Sequence, residues 1–272
     1  MQSFSASPRA MLASLIGNRR LIGNLVKREV VGRYRGSMLG ILWSFFNPVL
    51  MLAVYTFVFS VVFKARWSGG NDSKTEFALV LFAGLIAFNF FAECFNRAPT
   101  LVLSNANYVK KVVFPLDVLS WVSVGSALFH ALVSIVVWLL FYFLVGGMPH
   151  ATLLLFPLAL LPLALLAAGS SWAVAALGVY LRDVAQFVGV LTTILMFLSP
   201  IFYPIEALPE AYRPALALNP LSPAISFIRE VLYWGNLPSL GAYFAYLGAC
   251  SLVAWIGFAC FQKTRKGFAD VL

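Results

Sequence analysis

Six apolar runs divide the chain. They cover residues 39–63, 77–98, 116–145, 152–181, 184–203 and 239–261. An α-helix needs about 20 such residues to cross the hydrocarbon core of a bilayer. Several runs exceed that length, so tilt or protrusion into the headgroup layer is expected. Pro48, Pro157 and Pro162 fall inside runs, where neighbouring helices satisfy the carbonyls that proline frees. The pattern predicts an all-α membrane protein of six transmembrane helices, with one domain spanning residues 1–272.

Ahead of the first run, residues 18–38 read as an amphipathic interface helix. At about 100° per residue, Leu21, Ile22, Leu25 and Val26 fall on one side, and Arg19, Arg20 and Lys27 on the other. Such a helix lies in the headgroup boundary with its cations at anionic lipid. After Arg28 the phase shifts: Val30, Val31 and Tyr34 define the apolar side, opposite Arg33 and Arg35. A bend, or a change of partner from lipid to protein, is expected near Arg28. Gly32, Gly36 and Gly40 repeat at four-residue spacing. That is either a flat face for close helix packing or the mark of a bend at the membrane entrance.

Three connections are informative. Residues 104–115 form a short basic segment in which Asn105 or Asn107 can cap a small helix and Pro115 ends it. Arg182 and Asp183 alone join the fourth and fifth runs. Residues 204–238 carry Pro204, Pro209, Pro214, Pro220, Pro223 and Pro238. Within them Ser222-Pro223 reads as a helix start and Gly235 as its stop. The helix between is too short to span and too apolar for water, so it is placed at the outer interface or dipping back into it.

Composition narrows the class. Apolar residues make up 61% of the 272 and charged residues 11%, against about 25% charged in soluble domains. Mean hydropathy is +0.89. No soluble domain of ordinary size remains. Cys94, Cys250 and Cys260 lie in or beside apolar runs and read as small core residues. With the N-terminus inside, 14 of the 19 lysines and arginines fall on the cytoplasmic side, which puts both termini there. The net charge of +9 follows from this topology, and no basic soluble face is left for nucleic acid.

Catalytic apparatus is not legible. There is no phosphate-loop motif and no His-Glu-x-x-His, and His130 and His150 stand isolated. No metal site and no Ser/His/Asp set can be assembled. Glu93 and Arg97 are four apart in the second run, spaced to form an intramembrane ion pair. In the first run Phe45, Tyr55 and Phe59, with Phe63, share a face opposite Trp43, Phe46 and Phe57. Aromatic faces of this kind stack on sugar rings, or simply pack against lipid and core.

These residues resemble a known family. Arg33-Tyr34-Arg35-Gly36-Ser37-x-Leu39-Gly40-x-Leu42-Trp43 and Asn47-Pro48 are similar to the first-span entry of bacterial polysaccharide ABC transporter permeases, the membrane subunits of type-2 ABC exporters. Residues 105–115, Asn-Ala-Asn-Tyr-Val-Lys-Lys-Val-x-Phe-Pro, resemble their cytoplasmic coupling segment. Tyr180-Leu181-Arg182-Asp183-Val184, Ser199-Pro200-Ile201-Phe202-Tyr203-Pro204 and Asn219-Pro220-Leu221 resemble later signatures.

The resemblance implies a permease for lipid-linked polysaccharide of the O-antigen or capsule type. Teichoic acid or a small hydrophobic compound is the alternative cargo, and a membrane enzyme acting on lipid-linked sugars the alternative class. The chain would sit in the bacterial cytoplasmic (inner) membrane as a homodimer with two copies of an ABC ATPase. It would bind no cofactor itself, with ATP and Mg held by the partner. Asn105, Asn107, Tyr108, Lys110, Lys111 and Phe114 would seat in the ATPase. Arg28, Arg33 and Arg35 would lie where an undecaprenyl-pyrophosphate-linked glycan enters, among membrane lipid headgroups. Phe45, Tyr55 and Phe59 would line its path, and residues 204–238 would form a periplasmic gate.

Overall fold

A computed structural model describes residues 5–62, 74–110, 114–145 and 147–272, and every regular element among them is helical. Helix α1 (Pro8–Gly17) starts where the Ser7 hydroxyl accepts the Ala10 amide at 3.2 Å. Helix α2 (Arg19–Tyr34) follows at once and runs unbroken through Arg28, so the expected bend there is absent. One stripe at three- and four-residue spacing faces the bundle. It begins with Ile22, Leu25 and Val26 and continues with Glu29, Val30 and Arg33. The phase shift in the sequence records this stripe turning ionic, not the helix turning.

The break comes later. Arg35 is extended, and Gly36 and Gly40 have φ of +85° and +54°, backbone that glycine adopts without strain. A Cβ at Gly32, Gly36 or Gly40 would meet nothing within 4 Å. Gly36 and Gly40 therefore mark a bend ahead of the first long apolar helix, and within this chain none of the three glycines faces a packed neighbour.

Five helices are long and apolar enough to cross a bilayer among the described residues: Gly40–Phe59, Thr75–Thr100, Val118–Val145, Ala151–Tyr180 and Leu240–Val271. Their regular cores are α3 (Trp43–Tyr55, widening into a π-helical stretch Thr56–Val62), α4 (Lys74–Arg97), α6 (Val118–Val145), α7 (Phe156–Tyr180) and α11 (Leu240–Thr264). Short α5 (Ala106–Lys110) lies between α4 and α6. The fifth apolar run yields only α8 (Val184–Leu198), of 15 residues. At 1.5 Å per residue that is about 22 Å, short of the roughly 30 Å hydrocarbon core. Pro200 forces Ser199 into extended backbone with ψ 145°, which ends the helix.

Helix α4 is the hub of the fold. Val80, Leu81, Ala83 and Cys94 on it are fully buried, and α6, α7, α8 and α10 (Ser222–Arg229) pack around it. Trp138 of α6 closes one side, donating its indole N–H to the Leu79 carbonyl at 2.9 Å. The closest helix crossing is between α7 and α11, where a Cβ at Gly169 would meet the Ala254 Cα at 2.6 Å and one at Gly257 would collide with the Gly169 carbonyl. Small-residue packing is thus present, but at a site other than the Gly32–Gly40 ladder.

The segment after α8 holds α9 (Arg213–Ala217) and α10, which extends as a π-helical turn, Glu230–Trp234, and stops at Gly235 with φ +70°. The helix cap lies at Leu221, one residue earlier than Ser222-Pro223 suggested. This helix is not a surface feature. Ala224, Ile225, Ile228 and Leu232 are fully buried, and Arg229 is buried with them. Arg229 donates to Val80 O at 3.0 Å, Pro200 O at 2.6 Å and Ile201 O at 2.8 Å. Gly84 makes room for it, since a Cβ there would stand 2.7 Å from the Arg229 Nη2. The arginine thereby satisfies carbonyls set free where the fifth helix breaks. The last helix, α12 (Phe268–Val271), folds back so that Phe268 is buried against Tyr180 and Phe261.

Candidate functional site: an ionic ladder and a polar cleft

Where the stripe on α2 turns ionic it meets α4 running the other way. Glu29 pairs with Arg97, and Arg33 with Glu93 at 2.6 Å. The intrahelical Glu93–Arg97 pair expected from spacing does not form; each residue is claimed by α2. His130 of α6 adds a third helix, with Nδ1 2.9 and 3.0 Å from the two Glu93 oxygens. Nε2 lies 3.1 Å from the Tyr34 hydroxyl. With Nδ1 protonated toward the carboxylate, Nε2 is left to accept from Tyr34, so both bonds are made at once. Burial holds the Tyr34 phenol above its ordinary pKa and keeps it a donor.

This ladder forms one wall of a cleft of about 430 Å³ between α2, α3, α4 and α6. Beyond Arg33, Tyr34, Glu93 and His130 it is lined by the amides of Asn47, Asn89 and Asn96, the hydroxyls of Ser44, Ser134 and Tyr55, and a floor of Pro48, Met51, Phe82 and Ile86. Asn96 is held in place by the Thr192 hydroxyl of α8, which donates to its Oδ1 at 2.8 Å. Mixed donors and acceptors at membrane depth are costly unless they meet a polar partner.

Of the 104–115 segment, residues 104–110 and 114–115 are described, and α2 reaches them directly. Arg28 Nη2 donates to the Tyr108 hydroxyl at 2.9 Å, and Tyr108 stacks on Phe114 with ring centroids 4.4 Å apart. Asn105 directly precedes α5, and its amide donates back to Leu101 O at 2.9 Å. Asn107 is exposed. Lys110 closes α5, while Lys111 lies outside the described residues. A smaller cleft of about 190 Å³, lined by Arg28, Glu29, Arg97 and Asn105, separates this segment from the ladder.

The full sequence matches the profile of ABC-2 type transporters over residues 20–233. The chain belongs to the ABC-2 type transporter family. Membership, together with the long apolar helices, makes it a multi-pass membrane protein with a transport role rather than a stand-alone enzyme. It is 28% identical over 262 residues to the O-antigen export system permease protein RfbA of Myxococcus xanthus, covering 96% of this chain and 98% of that one. It is 27% identical to a Klebsiella pneumoniae protein of the same description, covering 91% and 93%. The polysialic acid transport protein KpsM of Escherichia coli is 26% identical, covering 89% and 92%.

On this ABC-2 chain the sequence-predicted residues divide. Arg28, Arg33, Glu93, Arg97, Tyr108 and Phe114 are brought together around the ladder and the segment beneath it. Arg35 stands apart, exposed in the extended link. Among the aromatics, Tyr55 and Phe59 join Phe202 rather than Phe45, with Phe59 stacked on Phe202 at 5.3 Å. Phe45 meets Phe46 edge-on at 6.3 Å, and Phe63 lies outside the described residues. His130 is not isolated, and an inward acid and imidazole do meet. Neither was visible in the sequence because Glu93 and His130 sit 37 positions apart on different helices.

Proposed function

We propose that this chain is the channel-forming permease of an exporter that carries a lipid-linked polysaccharide across the bacterial cytoplasmic membrane, driven by ATP hydrolysis on a separate subunit. The observation that carries this is the 430 Å³ cleft at membrane depth. Its amides, hydroxyls, carboxylate and guanidinium offer donors and acceptors together, as hydroxyl-rich sugars require, and Tyr55 adds an aromatic face for a sugar ring. The O-antigen and polysialic acid relatives support the same cargo class.

In this reading α8, continued by the 199–203 segment, makes the sixth crossing, and the buried α10 turns back from its outer end. Both termini then face the cytoplasm, as the lysine and arginine bias favours. Two copies of the chain line one path, and two ATPase subunits receive residues 104–115. Arg28, Arg33 and Arg35 suit a pyrophosphate at the entrance, because guanidinium groups bind phosphate oxygens in pairs.

The test uses inverted membrane vesicles from the native host. Added ATP should move lipid-linked carbohydrate into the lumen, where external periodate no longer oxidises it. Asn47→Leu combined with Asn89→Leu should abolish that protection while the protein stays in the membrane. Protection that persists in vesicles lacking the chain altogether would overturn the reading.

A further inference from the structure

Both ends of the chain converge on one carboxylate. Asp117 lies two residues after the end of the 104–115 segment and immediately before α6, and its side chain is almost wholly buried. From α1, the Ser14 hydroxyl donates to its Oδ2. From the end of α11, Arg265 Nη1 donates to its Oδ1 at 3.3 Å. The same guanidinium reaches back with Nη2 to the Phe114 carbonyl at 2.7 Å. From α7, the Trp172 indole donates to the Asp117 carbonyl at 3.0 Å. Ser14 and Arg265 both fall outside residues 20–233, where the family profile matches.

We propose that Asp117 and Arg265 are positioning residues that couple the 104–115 segment to the last membrane helix. The inference rests on the reading of that segment as the seat of the ATPase. The segment is gripped at two points. Tyr108 is held by Arg28 and passes displacement to α2. Phe114 and Asp117 are held by the fork of Arg265 and pass displacement to α11. The Tyr108–Phe114 stack ties the two grips together, so a push on α5 reaches both helices at once. The node is built to be stiff. A planar guanidinium making two bonds in fixed directions resists rotation more than a single contact does. Asp117 also occupies the residue directly before α6, where the helix dipole favours negative charge. The end of α11 is braced in turn, since the Tyr180 hydroxyl donates to the Thr264 carbonyl at 2.9 Å.

The experiment compares the complete complex, in inverted vesicles from the native host, carrying Arg265→Lys, Asp117→Asn or the unaltered chain. Three quantities are read: ATPase retained on the purified permease, phosphate released, and carbohydrate protected from periodate. Lysine keeps the charge but cannot span both acceptors. Arg265→Lys should therefore retain the ATPase and its hydrolysis while carbohydrate moved per phosphate released falls about tenfold, the equivalent of one charge-assisted hydrogen bond. Asp117→Asn should act in the same direction. If it fails to accumulate, Ser14→Ala, which removes one donor to the same carboxylate, takes its place. A merely structural role would lower the amount of complex and leave the ratio per phosphate unchanged; that result overturns the inference alone. Failure of the unaltered chain to retain any ATPase overturns the underlying reading together with it.

Discussion

Glu93 bonds Arg33, 60 positions away, and leaves Arg97, on its own helix, to Glu29 of α2. Two rungs of opposite polarity between antiparallel helices fix the register of α2 along α4. A slip of one turn would place Glu29 against Glu93. The ladder should therefore behave as a pair of exchangeable charges. Arg33→Glu alone sets two carboxylates face to face and should destabilise the purified permease. Adding Glu93→Arg should restore stability, with a coupling energy on the order of 1–2 kcal/mol for a partly exposed pair. Thermal unfolding of both single variants and the double in one detergent measures this; strict additivity would remove the ladder.

Tightness between α7 and α11 gives a second expectation. Gly257→Ala adds a methyl group where the Gly169 carbonyl already sits. Overpacking of this kind costs about 1–3 kcal/mol, so the variant should melt several degrees lower. Gly32→Ala meets open space and should leave the melting temperature unchanged or raise it slightly, since alanine favours helix.

Reversing charge at the basic end of α5 should weaken the ATPase contact. Lys110→Glu with Lys111→Glu is expected to lower ATPase recovered on affinity-purified permease by about tenfold, the scale of one or two interfacial ion pairs. Full recovery with normal export would remove residues 104–115 as the docking segment.

Arg35 is exposed in the extended link, whereas Arg28 is held by Tyr108 and Arg33 by Glu93. Arg35→Gln should reduce export while leaving the ladder and thermal stability intact. Arg33→Gln should reduce both, because Arg33 also holds Glu93. Measuring export and melting temperature on the two variants separates a cargo-facing charge from a structural one.

Topology can be read chemically. Leu218 is 85% exposed in the segment after α8, so a cysteine there should react with a membrane-impermeant maleimide in intact spheroplasts. Cys94 and Cys250 are buried and should contribute little background. Labelling only after permeabilisation would reverse the orientation.

Much of the bundle was legible because hydrophobic length is a local property. The apolar runs locate all five long helices, and the stop at Gly235 was correct. What escaped depends on partners distant in the chain. Spacing alone made Glu93 and Arg97 neighbours, yet α2 offered each a better-placed opposite charge. Glycine periodicity pointed to Gly32–Gly40, whereas close packing needs a facing element, which Gly125, Gly169, Gly178 and Gly257 have and Gly32, Gly36 and Gly40 lack within this chain. Arg229 falls in the short helix of the 204–238 segment, and the sequence shows no partner for its charge. Three backbone carbonyls instead draw it into the core.

That buried arginine also dictates an order of assembly. The chain after Leu198 leaves helix geometry inside an apolar setting, and exposed carbonyls there cost several kcal/mol each in lipid. Pro200 and Ile201 find their donor only at Arg229, 29 and 28 residues downstream. Until that residue has been synthesised, the fifth apolar run cannot settle as a finished membrane element. Its final setting is reached only together with α10, against an α4 that offers the Val80 carbonyl and the space at Gly84.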